Sequence, residues 1–465
     1  MIPLRYRPHL FALISLGLPL IGSQLARLMI GVSDTVIVGR YGVEPLAALV
    51  LATSYQFILF ISGSGYAIGL MGVLAAAHAR HDEVEVRRSM RMTLWLSGLH
   101  AIAMFPLMWF SGPILLALGQ DPQIASLAQQ FLRVFFLAMA PMLWGMAMNS
   151  YLATLGRANV VLWVTLAGLP LNVALNWALV FGNWGAPELG VAGSALASVI
   201  VNVLQITVLW FYALWLPKAR VYQLAKNFWR PDWGHFRHVF RVGLPVGLTL
   251  VAEVGMFTGA NLMMGWLGPQ VLAAHGIALQ LSALAFMIHL GLGNAATIRV
   301  GHAAGQGDGA SIREIGWTVI ALSTCVAACT ASSFVFLPET LGGLFLDPSH
   351  PQTPTILGLV TKLLFWAALF QLADGLQAIA LGLLRGIQDT RAPMLIAVVA
   401  YWLVGLPTGY VAGFILGYGP QGIWFGLLLG LAVAAVLLLR RFWAGEARGS
   451  WTRAAAPVPS HALPA

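Results

Sequence analysis

The sequence predicts an all-α polytopic membrane protein, about twelve transmembrane helices arranged as two parallel six-helix repeats. Three observations carry this. Of 465 residues, 59% are hydrophobic and only 9% charged, with a mean hydropathy of +0.82, too little charge to cover a water-soluble surface of this size. The apolar residues form runs of roughly twenty or more, the length a helix needs to cross a bilayer. Short motifs also recur at one fixed spacing, as in a duplicated chain.

Read between charged or Pro/Gly breaks, the spans lie at 11–38, 46–76, 90–116, 127–153, 160–182 and 190–215 in the first half. Those of the second half lie at 241–266, 270–298, 314–337, 356–384, 393–416 and 420–439. A membrane barrel strand needs only about ten alternating residues, so runs of this length specify helices. The first span follows Arg5 and Arg7 as a signal sequence would. Its apolar run continues to Asp34 without a small-x-small cleavage site and is read as an uncleaved helix. Pro19, Pro245 and Pro407 fall inside the first, seventh and eleventh spans, where they can kink a helix.

Gly17-Leu18-Pro19 recurs as Gly243-Leu244-Pro245, 226 residues later. The same spacing carries Leu46-Ala47-Ala48 onto Leu272-Ala273-Ala274, Asp82 onto Asp308 and Arg87 onto Arg313. An even number of spans per half makes both halves enter the membrane from the same side, with a central cavity expected between them. The expected organisation is an amino-terminal lobe at 1–216, a polar linker at 217–238, a carboxy-terminal lobe at 239–440 and a basic, disordered tail at 441–465. All but four of the 25 Lys and Arg (Arg27, Arg40, Arg133 and Lys362) fall on one side if the amino terminus is inside. The positive-inside rule then predicts that both termini are cytoplasmic. The same bias accounts for the net charge of +9 through basic loops beside anionic lipid, with no nucleic-acid partner required.

The sequence lacks a Walker A loop, since none of Lys218, Lys226 and Lys362 follows a glycine, and it lacks H-E-x-x-H. The histidines show no metal-ligand spacing; His275 and His289, on one span, read as helix-packing residues. Cys325 and Cys329 read as small hydrophobes within a span. A secondary transporter without a cofactor fits this inventory.

Three carboxylates, Asp34, Glu253 and Asp374, lie inside apolar spans. An acid at membrane depth costs several kcal/mol unless it meets a cavity or a partner, so such residues usually mark an ion or substrate path. Arg27 lies two turns before Asp34 and is its candidate structural partner, whereas Glu253 and Asp374 have no cationic residue three or four positions away.

The segments Val32-Ser33-Asp34-Thr35, Ala252-Glu253-Val254, Ile298-Arg299-Val300-Gly301-His302, Leu372-Ala373-Asp374-Gly375 and Leu384-Arg385-Gly386-Ile387-Gln388-Asp389-Thr390 resemble the multidrug and toxic compound extrusion (MATE) family, in its bacterial NorM-type branch. The resemblance covers about 10–440. It implies a MATE-like fold in a bacterial inner membrane and a monomeric antiporter, driven by H⁺ or Na⁺, that exports small organic cations. It further implies coupling roles for Asp34, Glu253 and Asp374, with Na⁺ a possible guest of the last two. Asn172, Asn176 and Ser194 match polar positions near the first acid, and Gln280 is a polar neighbour of the second site. Asn172 and Asn176, spaced i, i+4, equally suit hydrogen bonding between helices, and Gln280 equally suits packing. The branch often carries a tyrosine one turn before the second acid; this chain has Phe370 there, which weakens a sodium site and leaves a proton site workable. A lipid-linked precursor flippase is the alternative transport reading, and a membrane-embedded enzyme the alternative of another class. Acids within the spans favour cationic cargo over phosphates.

Overall fold

The computed structural model describes residues 4–216, 220–447, 449 and 451, with no strand among them. Twelve of its helices are long and apolar enough to cross a membrane. In the first half they are α1 (Arg7–Tyr41), α2 (Val43–Ala79), α3 (Glu83–Trp109), α4 (Pro122–Thr154), α5 (Ala158–Phe181) and α6 (Gly190–Trp215). In the second half they are α7 (Trp233–Trp266), α8 (Pro269–Gly305), α9 (Gly309–Phe336), α10 (Thr353–Gly386), α11 (Arg391–Ile415) and α12 (Gly419–Ala447). Their lengths run 35, 37, 27, 33, 24 and 26 residues, then 34, 37, 28, 34, 25 and 29. Two such matched series are the signature of a duplicated chain.

Local chemistry repeats with the same spacing. The Asp82 carboxylate accepts from Glu85 N at 2.8 Å to start α3, and the Asp308 carboxylate accepts from Ser311 N at 3.0 Å to start α9. Each occupies the N-cap, where a side-chain oxygen satisfies an amide that the helix itself leaves free. These caps explain why α3 and α9 begin several residues before the predicted spans. Glu83 and Glu85, which precede the predicted span 90–116, form the first turn of α3, where negative charge opposes the helix dipole favourably. After α3 and α9 come the short helices Ser111–Ala117 and Pro338–Gly343, the first of which lies in the predicted span 90–116.

The described residues form two compact units, one drawn from Met1–Ile21 and Leu248–Ala456, the other from Gly22–Gly247. These units differ from the lobes expected at 1–216 and 239–440 by the opening segments of α1 and α7, by the linker, which joins the second unit, and by the segment after 440, which joins the first. Both changes of unit fall two residues after a proline inside the helix, Pro19 or Pro245. A proline lacks the amide that would continue the helical ladder at that turn. Within the first unit, a side chain at Gly291 of α8 would run into Ile21, and one at Gly17 would come to 3.2 Å from Leu292. Within the second, side chains at Gly243 and Gly247 would collide with Tyr66 and Ser62 of α2. The glycines let each opening segment lie directly against its neighbour, the packing that membrane helices achieve with small residues.

The second unit includes the described linker residues; Pro217–Ala219 lie outside the described residues. Arg91 donates to the carbonyl of Asn227 at 2.8 Å, and Trp95 Nε1 donates to that of Phe228 at 3.1 Å. Asp232 sits 3.5 Å from Arg88. Although burial acts to raise it, bonds from His235 and the charges of His235 and Arg88 hold the Asp232 carboxyl below the usual carboxylate range. At the other end, α12 continues to Ala447, where a disordered tail was expected from 441. Arg441 pairs with Asp389 at 2.6 Å, Arg313 pairs with Glu446, and Trp451 donates to the Phe442 carbonyl at 2.9 Å. Most of the remaining tail lies outside the described residues.

Hydrogen bonds from the Ser311 side chain and backbone hold Asp308 below the usual carboxylate range. Its capping contribution is therefore complete above the ordinary Asp value of about 4 and is lost as pH falls through the lower folded value. Asp308→Ala is expected to lower unfolding stability by about 1 kcal/mol at neutral pH, and Asp308→Asn by much less, because asparagine also caps. Thermal unfolding of the detergent-purified variants from pH 7 to 3 checks both the size and the acid convergence of the curves.

Candidate functional site

Each unit holds a carboxylate site. In the unit drawn from Gly22–Gly247, Asp34 is half-buried on α1. Asn176 Nδ2 on α5 donates to Asp34 Oδ1 at 2.8 Å and to the Asn172 carbonyl at 3.0 Å. The Ser33 hydroxyl donates to Asn172 Oδ1 at 3.0 Å. The two amides thus share one face of α5, as their i, i+4 spacing predicts, and they tie it to α1 at Asp34. Ser194, expected from the resemblance, is fully buried, and its hydroxyl finds no partner. The serine that reaches the acid is Ser198, one turn further along α6, at 3.5 Å from Asp34 Oδ2. Arg27 is not among the ion pairs of the described residues, so Asp34 is matched by neutral donors.

In the other unit the acids come from two helices. Glu253 on α7 and Asp374 on α10 are 7% and 3% exposed, and they fall within electrostatic reach of each other. Arg385, placed in a loop by the sequence reading, is the penultimate residue of α10. It is 7% exposed and within reach of Glu253. The signal was present: Arg385 follows Asp374 by eleven positions, about three helical turns, and so returns to nearly the same face. Tyr401 on α11, fully buried, is within reach of all three charges.

Phe370 packs edge-on against Phe257 at 5.5–6.1 Å spacing together with Trp424, the centroid distances being 6.1 Å to Phe257 and 5.5 Å to Trp424. It forms an apolar wall one turn from Asp374. Gln280 is exposed and makes no hydrogen bond among the described residues. The glutamines that flank the acid are Gln371 and Gln377 of α10, both fully buried, and their three-residue spacing from Asp374 was legible in the sequence. His275 accepts from Trp424 Nε1 at 3.1 Å, and His289 bonds Ser323 at 2.9 Å, the packing roles expected of them. Among the described residues no three His, Cys, Asp or Glu gather as a metal cluster.

Two duplicated six-helix sets carrying acids at membrane depth define a polytopic membrane transporter. Sequence comparison gives the family. The MatE family model matches residues 19–178 and again 245–411, two matches beginning at the duplication's own spacing, and the chain belongs to this family. It is 44% identical over 435 residues to the probable multidrug resistance protein NorM of Rhizobium meliloti, covering 94% of this chain and 93% of the relative. It is 41% identical over 434 residues to that of Agrobacterium fabrum, covering 93% of each. The fold is similar to that of the eukaryotic MATE transporter AtDTX14, with a TM-score of 0.86 at 21% identity over 97% of this chain and 99% of that one. It is also similar to an outward-facing MATE family transporter of the MOP superfamily, with a TM-score of 0.86 at 18% identity over 95% and 96% of the two chains.

If neutral donors rather than Arg27 match Asp34, the two residues are energetically independent. Asp34→Asn and Arg27→Gln are then expected to be additive in unfolding stability, with a coupling below about 0.5 kcal/mol. Thermal or denaturant unfolding of the two single variants and the double variant measures it; rescue of Asp34→Asn by Arg27→Gln would show an ion pair.

Proposed function

We propose that this chain is a cation-coupled antiporter of a bacterial inner membrane that exports small organic cations by alternating access, with H⁺ or Na⁺ as the coupling ion. The observation that carries the reading is the burial of Glu253 and Asp374 within electrostatic reach of each other, with Arg385 the cationic side chain that reaches Glu253 among the described residues. Two carboxylates and one guanidinium leave one net negative charge out of water. A carboxylate in that position is satisfied by a proton, a metal ion or an organic cation, and competition among these links inward ion flow to outward cargo flow. Asp34, held by Asn176 and Ser198, is the second acid of the cycle, in its own unit.

Organic cations are the cargo that a site of net negative charge suits. The names of the relatives, multidrug resistance proteins, support small organic compounds as cargo. The chain acts as a monomer, with both termini cytoplasmic.

Two measurements test this. Purified protein in liposomes is expected to move a planar lipophilic cation such as ethidium unchanged when a proton or a sodium gradient is imposed separately. Glu253→Gln and Asp374→Asn are each expected to cut that flux more than tenfold while the protein stays folded, since each removes a buried charge. Equal flux in wild type and both variants would remove the acid pair from the mechanism. For orientation, single cysteines at the exposed, repeat-related positions Val84 and Ala310 are introduced in a Cys325→Ala, Cys329→Ala background. Both are expected to resist an impermeant thiol reagent in intact cells and to react in inverted vesicles.

A further inference from the structure

Resting on the reading of Glu253 and Asp374 as the coupling site, we propose that Tyr401, Gln377 and Gln371 are specificity-determining residues of that site: they surround the acids with neutral oxygens through which one desolvated alkali cation of sodium's class binds, in place of the hydroxyl missing at Phe370.

Hydrogen-bond chemistry argues this first. Asp374 has Gln371 three residues before it and Gln377 three after it along α10, so each is its neighbour on the helix surface. Gln371 Nε2 donates to the Ser282 carbonyl at 3.1 Å. A carbonyl only accepts, so the amide orientation is fixed and Gln371 Oε1 is left without a donor. Gln377 Nε2 donates to Tyr401 Oη at 2.6 Å; a phenol can donate as well as accept, so this pair, unlike Gln371, can turn either an oxygen or a hydrogen toward a neighbour. Asp374 Oδ1, one turn from Gln371, is a second buried acceptor without a donor among the described residues. Leaving one such oxygen unmatched is costly, and leaving two on successive turns of one helix favours a positive guest. The site around Asp34 is the contrast, because there Asn176 and Ser198 direct donors at the acid.

The path of α11 argues it independently. Residues Val399–Gly405 form a π-helical stretch, a wide turn often found at functional sites because it re-aims side chains. Two neighbouring side chains anchor that turn to the two acid-bearing helices. Tyr401 meets Gln377 of α10. Trp402 Nε1 donates to the Ala252 carbonyl at 3.1 Å, the residue before Glu253 on α7. Behind the turn, Gly405 and Gly409 lie against Gly426 and Gly430 of α12, where an added side chain would strike backbone. The aim of Tyr401 is thus set by packing on one side and hydrogen bonds on the other.

Charge sets the valence. Glu253, Asp374 and Arg385 sum to one negative charge, which a single monovalent cation balances. Carboxylate, amide and phenol oxygens can stand in for the hydration shell such an ion gives up, as carbonyl rings do in ion filters. A proton needs only one carboxylate oxygen, so the neutral oxygens discriminate between the two ions.

The experiment follows tryptophan fluorescence and thermal unfolding of the purified full-length protein while NaCl replaces choline chloride at constant ionic strength, and separately as a function of pH without sodium. Wild type is expected to show a saturable sodium response. Tyr401→Phe, which deletes only the hydroxyl, and Gln377→Leu are each expected to raise the half-saturating sodium concentration about tenfold, the size of one lost bond to a charged guest. A merely structural role would instead lower the unfolding temperature equally in sodium and in choline; that result, or an unchanged sodium midpoint in both variants, overturns the proposal. A wild type that answers pH but not sodium, with the pH response lost in Glu253→Gln, also overturns it while leaving the coupling site intact. Glu253→Gln and Asp374→Asn retaining both wild-type responses would overturn the site and the proposal together. Should Tyr401→Phe fail to fold, Gln377→Leu and Gln371→Leu carry the same comparison.

Discussion

A carboxylate at membrane depth must be matched by something positive or by hydrogen-bond donors, and the organisation of this protein follows from how that requirement is met in each unit. At Asp34 the protein supplies neutral donors, Asn176 from α5 and Ser198 from α6. At Glu253 and Asp374 it supplies one guanidinium, that of Arg385, and acceptor oxygens. The first arrangement satisfies an anion with the protein's own groups. The second leaves a demand for positive charge, which is a physical basis for ion coupling in a protein that lacks a Walker A loop.

Holding such acids in place requires close helix packing, and glycine provides it. Gly293 and Gly382 bring α8 and α10 so near that the Thr297 hydroxyl lies within donating distance of the Gly382 carbonyl, 2.8 Å, as well as of the Gly293 carbonyl one turn back on its own helix, 2.9 Å. Gly375, next to Asp374, lies under the ring of His289, where a side chain would collide. Apolar burial gives little drive between helices already in lipid, so van der Waals contact at these small residues and a few interhelical hydrogen bonds carry the specificity. The α11–α12 glycine contacts do the same for the π turn that aims Tyr401.

The duplication repeats the scaffold but not the chemistry. Caps at Asp82 and Asp308, glycines before α2 and α8, and prolines in α1 and α7 recur with one spacing. The acids do not: Asp34 lies late in α1, Glu253 lies mid-way along α7, and the amides that serve Asp34 have no counterpart at the second site. Repetition at the level of helix starts and packing therefore leaves each unit free to carry a different set of polar groups.

The sequence by itself determined the number of spans, the duplication, the family and the three acids, because these depend on composition, run length and spacing along one helix. It also contained Gln371, Gln377 and Arg385, which share a helix with Asp374 and lie at helical spacings from it, although Arg385 reads as a loop cation when span ends are drawn at charged residues. Tertiary structure decided the rest. Only packing shows that Ser198 rather than Ser194 faces Asp34, that Arg27 is not its ion-pair partner, and that Gln280 is exposed. Only packing brings Tyr401 from α11 to a site built on α7 and α10, because a π turn changes side-chain direction without leaving a periodic mark in the sequence. The unit boundaries inside α1 and α7 are equally invisible in one dimension: they follow from which neighbour a glycine face touches, and a hydrophobic run looks the same whichever neighbour that is.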